Sequence, residues 1–521
     1  MGRAELRGNP EVRGVRAYPV PQKSGEVRCW PSPLLYPEHL EANRRLLEGS
    51  RLRLAGRPLV DLRHQMRRDM GFDPQQPLVA SGHQPVFVHP GVAMRAFLLA
   101  EGARRQGWAA AFVAVDSDLA LDLGAFVPAL AQGDLAVARV ALLDPQERRA
   151  LEGLPAPGPA RWEGFAHRIR AHLEEVGLGA ALQRASAFFD GGRDLLSRVA
   201  GAVDFMEALR RLWEPPENPA WIPLSRLCSG APFAHFCAAL LAEAEAFAGH
   251  YNAVLRDYRR ARRLRSPAHP FPDLRRQEEA VEAPFWWLSP RGERASVWVS
   301  RRRGRLELSC QGALLAALPL QPSRAAREIQ SAGLRLRPRA LTLTLFLRLL
   351  GCDLFLHGTG GAAYDRVTDE VLRRHFGLPP PALAVATGTL HLPLAGPHGM
   401  AAEVRRLRLA LRELRYNPQR LAFPGPQAAG LAARKRLLID LLAREPRGAR
   451  RRALTLELHE VNAALAALEP CRRRCLEDEL EAARAGMARE AVGRFREYAY
   501  FLFSAEDCRR LAEKAFQESG R

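Results

Sequence analysis

Apolar positions recur along this chain at two periods, and the changes of period mark out its elements. Residues 77–80 are an unbroken apolar run, and 78–81 reads as a short strand buried on both faces. From 92 to 106 the apolar positions take helical spacing, and 109–115 is a second apolar run that stops at Asp116-Ser117-Asp118. Strand, loop, helix and strand in that order predict a βαβ unit with a right-handed crossover. The order returns further on, with a helix over 340–350 stopped by Gly351, a strand over 352–356, a glycine-bearing loop, a helix over 364–376 capped by Gly377, and a strand over 382–385.

Other patterns lie around these two stretches. Residues 1–75 are proline-rich and basic, and read as an N-terminal arm carrying one helix, 37–49. Within a core spanning 76–395, the part from about 125 to 225 reads as helical (160–176 and 192–213), with proline-rich joints. A long helix is expected over 232–263, continuous or broken near His250. Residues 284–320 alternate like short strands, with turns at Ser289-Pro290-Arg291-Gly292 and Arg303-Gly304, which predicts a small antiparallel sheet. From 396 to 498, Ala, Leu, Arg and Glu at helical spacing predict a helical coiled-coil domain without a settled heptad register. The tail, 499–521, follows Tyr498 and carries Tyr500, Phe501 and Phe503, and is expected to dock on the core. The fold class is therefore α/β: a Rossmann-like parallel sheet with helical and small antiparallel β insertions, followed by a coiled coil.

Composition narrows the function classes. The 521 residues carry a formal charge of +20, which suggests nucleic acid as a partner. However, 74 of the 77 basic residues are Arg, scattered along the chain, with lysine only at 23, 435 and 514. Nucleic-acid binders gather basic residues on one face among stacking aromatics, so no specific nucleic-acid partner is expected. The most apolar stretch, 340–356, is interrupted by Arg348 and Asp353, so no membrane span is expected, and no secretory signal is read at the N-terminus. Eight cysteines scattered over the whole length suit reduced thiols and a cytoplasmic setting. Cys471 and Cys475 lie one helical turn apart, but no second pair completes a metal site, so no metal is expected.

Two loops hold the candidate chemistry. Gly82, His83, Gln84, His89 and Gly91 lie between a strand and a helix, where ligands bind at the carboxyl edge of a parallel sheet. A helix start offers free N–H groups and partial positive charge to an anion, and imidazoles can move protons near neutrality. His357, Gly358, Thr359, Gly360 and Gly361 repeat that arrangement, without the lysine of a P-loop or a dinucleotide fingerprint. Asp116 and Asp118, at the end of the second strand, face the same crevice and are candidate bases. His83, Asp116 and Asp118 are thus the catalytic candidates. The structural alternatives are a strand-end His83, a His89-Pro90 turn and helix-capping aspartates.

The order of parts resembles the bacillithiol biosynthesis cysteine-adding enzyme family. "VASGHQPVFVHPG" at 79–91 is similar to that family's first-strand loop at Gly82 and Gln84, with His83 where the family has Gln. "AAFVAVDSD" occupies the place of an acidic motif, of which Asp116 and Asp118 remain. The stretch 232–258 resembles a family helix and the segment after it. The stretch 336–387 is the best match, with Arg337, Pro338, Gly358, Gly360 and Tyr364, and with Gly361 in place of a Glu. "REYAYFLF" ends the helical region as in the family. The resemblance implies a ligase joining cysteine to an amino-sugar malate conjugate, a nucleotide-like (ATP- or ADP-type) pocket, and a homodimer formed through the coiled coil. Tyr364 and the two loops would then bind the small anionic substrate. Two other functions stay open: nucleotidyl transfer on the same scaffold, and a non-catalytic coiled-coil dimer that senses a metabolite.

Overall fold

The computed structural model describes residues 18–119, 123–144, 149–266, 268–394, 399–421, 425–468 and 470–517. The first 17 residues of the expected arm, the expected boundary at 395/396 and the last four residues of the tail lie outside them. The fold is mixed α/β, built on a six-stranded, mostly parallel sheet with further antiparallel sheets. In chain order its strands are β1 (Glu26–Trp30), β2 (Leu78–His83), β3 (Ala109–Ala114), β4 (Trp221–Pro223), β5 (Leu354–His357) and β6 (Leu383–Thr389). Their order across the sheet is β1-β6-β5-β2-β3-β4, with only the edge strand β1 antiparallel. From β2 the chain first builds outward to β3 and β4. It then returns to the other side of β2 for β5 and β6, so the direction of winding reverses between β2 and β5.

The apolar runs at β2, β3 and β5 are buried strands, as parallel strands covered on both faces should be. The helix Pro90–Gln106 has Pro at its first turn, His89 at its N-cap and Gly107 in the left-handed conformation (φ 75°) at its end. At the opposite edge of the sheet, the buried carboxylate of Asp353 joins the starts of two strands. It accepts from Arg63 (2.6 Å), from Arg67 and from the Leu78 amide (2.8 Å). Two guanidiniums and an amide thus offset the cost of burying this charge.

Several expected elements need correction. The N-terminal region is not only an arm: it supplies β1, the helix Tyr36–Glu48 and a second helix, Leu59–Met70, that holds Arg63 and Arg67. The region 125–225 includes the strands Ala125–Ala131 and Asp134–Val140 as well as β4. The expected helix 192–213 is two helices, Gly179–Leu195 and Ala202–Trp213. The long helix breaks at Glu243 and not near His250, giving Ala231–Ala242 and Ala244–Arg262. Glu243 has φ −113° and ψ 27°, outside helical geometry, and nothing in its residue type signals the break. The helix from Ala340 changes after Phe346 to a π-turn over Leu347–Gly351, which lets the buried Arg348 reach Asp365.

A second, six-stranded antiparallel sheet comprises Ala280–Leu288, Arg294–Arg302, Arg305–Cys310, Ala313–Pro319 and Leu336–Pro338, with the short strand Arg276–Gln277 paired to Ala280–Leu288. Its hairpin at Arg303-Gly304 has positive φ at both turn residues (51° and 70°), the backbone that a two-residue hairpin needs.

The described residues divide into two compact units, one drawn from 18–129, 138–391 and 496–517, the other from 130–137 and 392–495. In the second, Met400–Tyr416 packs on Pro470–Gly493, and Pro426–Arg444 packs on Ala449–Ala467. The Glu490 carboxylate accepts from the amides of Gly399 and Met400 and so satisfies a helix start. No helix among the described residues is long and apolar enough to cross a membrane.

Candidate functional site

The loop after β2 borders a cleft of about 540 Å³ at the carboxyl edge of the sheet. His83, Gln84, His89 and Asp118 line it, together with Arg139, Arg294 and Glu497. Its apolar wall includes Phe87, Val92, Leu123 and Phe126. A volume of this order suits a small metabolite. Four residues singled out in the sequence therefore meet in one cavity. Gln84 donates to Asp118 Oδ2 (2.7 Å), and Arg294 donates to Asp118 Oδ1 (3.0 Å) while lying over the Trp286 ring.

The two imidazoles differ in their ring contacts. His83 Nδ1 lies 3.1 Å from the carbonyl oxygen of Gln84. His89 Nδ1 accepts from the Gly91 amide at 3.1 Å. Burial, then the nearby Arg95, pushes the His83 pKa down to about 4. Burial, then Arg496, His83 and Arg95, pushes His89 down to about 3. Both rings are neutral at neutral pH. The helix start here does not offer the free amides expected of it: Gly91 N–H is taken by the His89 ring, and Val92 and Ala93 N–H by the His89 carbonyl.

Sequence reasoning missed the two guanidiniums behind this loop. Arg95 is 3% exposed and donates to Ser81 Oγ (3.0 Å). Burial alone lowers its pKa to about 10, and among the described residues no carboxylate pairs with it. Arg496 approaches from the C-terminal segment and donates to Thr387 Oγ1 (3.1 Å) and to the Gly388 carbonyl (2.8 Å). Its Nε is buried without a partner. Arg95 left one trace in the sequence, a charge set into the apolar stretch from Val92 to Leu99. Arg496 left none, because the tertiary fold brings it from the far end of the chain.

The glycines at the first loop serve close packing. A Cβ on Gly91 would stand 2.4 Å from the Gly388 carbonyl oxygen, and one on Gly82 would stand 3.0 Å from that of Val113. The expected second loop does not line the cleft, and its Thr359, Gly360 and Gly361 are the first turn of the helix Thr359–Phe376, not a loop ahead of a helix starting at 364. His357 is buried and pairs through Nε2 with Asp365 (3.1 Å), which Arg348 also holds. Burial opposes the Asp365 charge, but Arg348 and His357 outweigh it and hold this carboxyl well below the usual range. A Cβ on Gly361 would come within 3.0 Å of His357 Nδ1. Gly358 does approach the first loop: a Cβ there would lie 4.0 Å from Arg95 Cζ. The helix Thr359–Phe376 starts without a side-chain cap, and Gly360 is exposed at it. Tyr364 lies away from the cleft, its ring edge-on to His269 and Phe271.

Asp116 is buried outside the cleft and accepts from the backbone N–H and hydroxyl of Ser225. It thereby caps the short helix Leu224–Leu227 that follows β4. Burial pushes its pKa up to about 6; Ser225 opposes the rise and Glu152 adds to it.

No group of three or more His, Cys, Asp or Glu side chains suited to a metal occurs among the described residues. No family model and no curated protein matches the chain.

Proposed function

We propose that the chain is an enzyme acting on a small anionic metabolite held in the cleft after β2. The cysteine-adding ligase type that the sequence resembles is the leading form of that activity. One observation carries the reading: the buried Arg95 guanidinium, without a carboxylate partner among the described residues, stands behind two neutral imidazoles at the carboxyl edge of the sheet. An unpaired buried cation is costly unless an anion joins it. The strand order supports a Rossmann-like description. Counted from β2, the parallel strands run 3-2-1-4-5, and such sheets bind ligands at the carboxyl ends of the strands near the reversal, which lies next to β2, the strand whose loop borders the cleft. Malate-like carboxylates fit the charge, and the apolar wall suits the less polar part of a conjugate.

A nucleotide is a second reading, favoured by the uncapped start of the helix Thr359–Phe376 next to Arg95. Dimerisation through a coiled coil is favoured by Leu437, Leu441 and Leu456, all exposed on the second unit. A cytoplasmic setting accords with eight free cysteines.

The test is a thermal-shift screen of malate, a sugar-malate conjugate, cysteine, ATP and ADP on the wild type and on His83→Ala. A ligand present at a hundred times its Kd stabilises by about 2.7 kcal/mol. Malate or its conjugate is expected to raise Tm in the wild type and less in the variant. Equal shifts in both proteins remove His83 from the site, and no shift with any carboxylate or nucleotide refutes the reading.

A further inference from the structure

His83 and His89 touch the backbone through the same ring atom but with opposite roles. A carbonyl oxygen can only accept, so the contact of His83 Nδ1 with the Gln84 carbonyl puts the proton on Nδ1. An amide N–H can only donate, so the bond from Gly91 makes His89 Nδ1 the unprotonated nitrogen. In neutral rings this leaves His83 with a lone pair at Nε2 and His89 with a proton at Nε2. Neither Nε2 is among the buried side-chain atoms shut off from solvent without a partner, and both rings line the same cleft.

We infer that His83 and His89 work as an opposed pair in this cleft, with His83 Nε2 taking a proton from a nucleophile and His89 Nε2–H stabilising the oxygen that becomes negative. The inference rests on the reading that the cleft holds a small anionic substrate, and it names the class: a carboxylate-bearing acyl compound attacked by an amine or a thiol. The nucleophile's proton moves to His83 Nε2 as its lone pair bonds to the acyl carbon. The carbonyl π pair moves onto oxygen, which accepts from His89. When that pair re-forms the carbonyl, the leaving group departs with its bonding pair, and the imidazolium of His83 returns the proton to it. A preorganised donor at a developing oxyanion is a large catalytic contribution.

The groups around the pair set the cost of charging His83. From the helix behind it comes Arg95, and from the C-terminal segment Arg496 and Glu497. Asp118 stands beyond Gln84 and is bound to Arg294, and Arg139 lies on the facing wall. On the inner side, a smaller cavity next to His83 is bordered by Arg210, Glu214 and Tyr500. The guanidiniums disfavour the imidazolium. A substrate carboxylate in the cleft, whose lining includes Arg139 and Arg294, offsets them and raises the proton affinity of His83 at the moment it is needed.

Long-range 1H–15N spectra of 15N-histidine-labelled protein at pH 7 test the pair, with His83→Gln and His89→Gln used only to assign the signals. The expected spectra show His83 protonated at Nδ1 and His89 at Nε2, with both rings shifting when malate is added. The same tautomer in both rings, or an imidazolium at pH 7, overturns the inference even where malate raises Tm. Opposite tautomers with neither a ring shift nor a Tm response to malate or its conjugate overturn the ligand reading and, with it, the catalytic roles.

Discussion

At the scale of single residues, environment more than residue type decides which groups can act. Asp116 and Asp118 are two positions apart and look equivalent in the sequence. One caps a short helix out of the cleft, and the other lines the cleft between Gln84 and Arg294. The raised pKa of Asp116 has a consequence for stability. Its folded value of about 6 lies above the ordinary 3.8, so the folded state binds this proton more tightly. The resulting stabilisation is fully present below pH 3.8 and is lost as pH rises through about 6. Asp116→Asn removes that dependence and keeps an acceptor for the Ser225 amide. The fall in unfolding free energy between pH 4 and pH 7.5, measured with urea, is expected to be smaller in the variant by up to about 3 kcal/mol. An unchanged pH profile would mean that Asp116 ionises normally. His357 shows the same rule: its place after a strand and before a glycine turn suggested a ligand contact, but the fold places it against Asp365 and Arg348.

At the scale of elements, periodicity made the buried strands and the main helices legible. It could not show how those elements are joined or stopped. The break at Glu243 and the π-turn after Phe346 follow from packing and from the reach of Arg348, neither of which has a period. Nor does periodicity show where an irregular segment lies. The stretch 498–503 runs beside the loop after β2, with Tyr500 N–H bonded to the Val88 carbonyl and Ala499 N–H to that of Phe126. Phe501 stacks on Phe188 (4.8 Å between centroids) and meets Phe87 and Phe189 edge-on. Phe501→Ala empties the centre of this aromatic cluster and is expected to cost about 3–5 kcal/mol. Because Arg496 and Glu497 precede it, limited proteolysis should show new cleavage between 494 and 505, with a weaker malate response in thermal shift. A variant as protease-resistant as the wild type would show that the segment is held by other contacts.

At the scale of the whole molecule, the two compact units differ in how much apolar surface each buries. The first has an extensive core drawn from both sheets and the helices around them. Within the second, the apolar cluster between Pro426–Arg444 and Ala449–Ala467 has three buried members among the described residues, Leu438, Val461 and Leu465. Local opening follows local burial. In hydrogen-exchange mass spectrometry, amides of 426–467 should therefore exchange well before those of β2, β3 and β5. Equal protection would point to burial of these helices against a partner, such as the second copy proposed above.

Hydrophobic spacing, residue by residue, determined the mixed α/β class, the two strand–loop–helix units and the four long helices, because backbone periodicity is a local property. It also placed Gly82, His83, Gln84 and His89 together, since they are neighbours in the chain. Only the tertiary structure decided that Arg95 lies behind them with no carboxylate partner among the described residues, that Arg496 arrives from the other end of the chain, and that His357 turns inward. Those outcomes depend on charge burial and on pairing between distant segments, which are properties of the packed molecule and leave no period in the sequence.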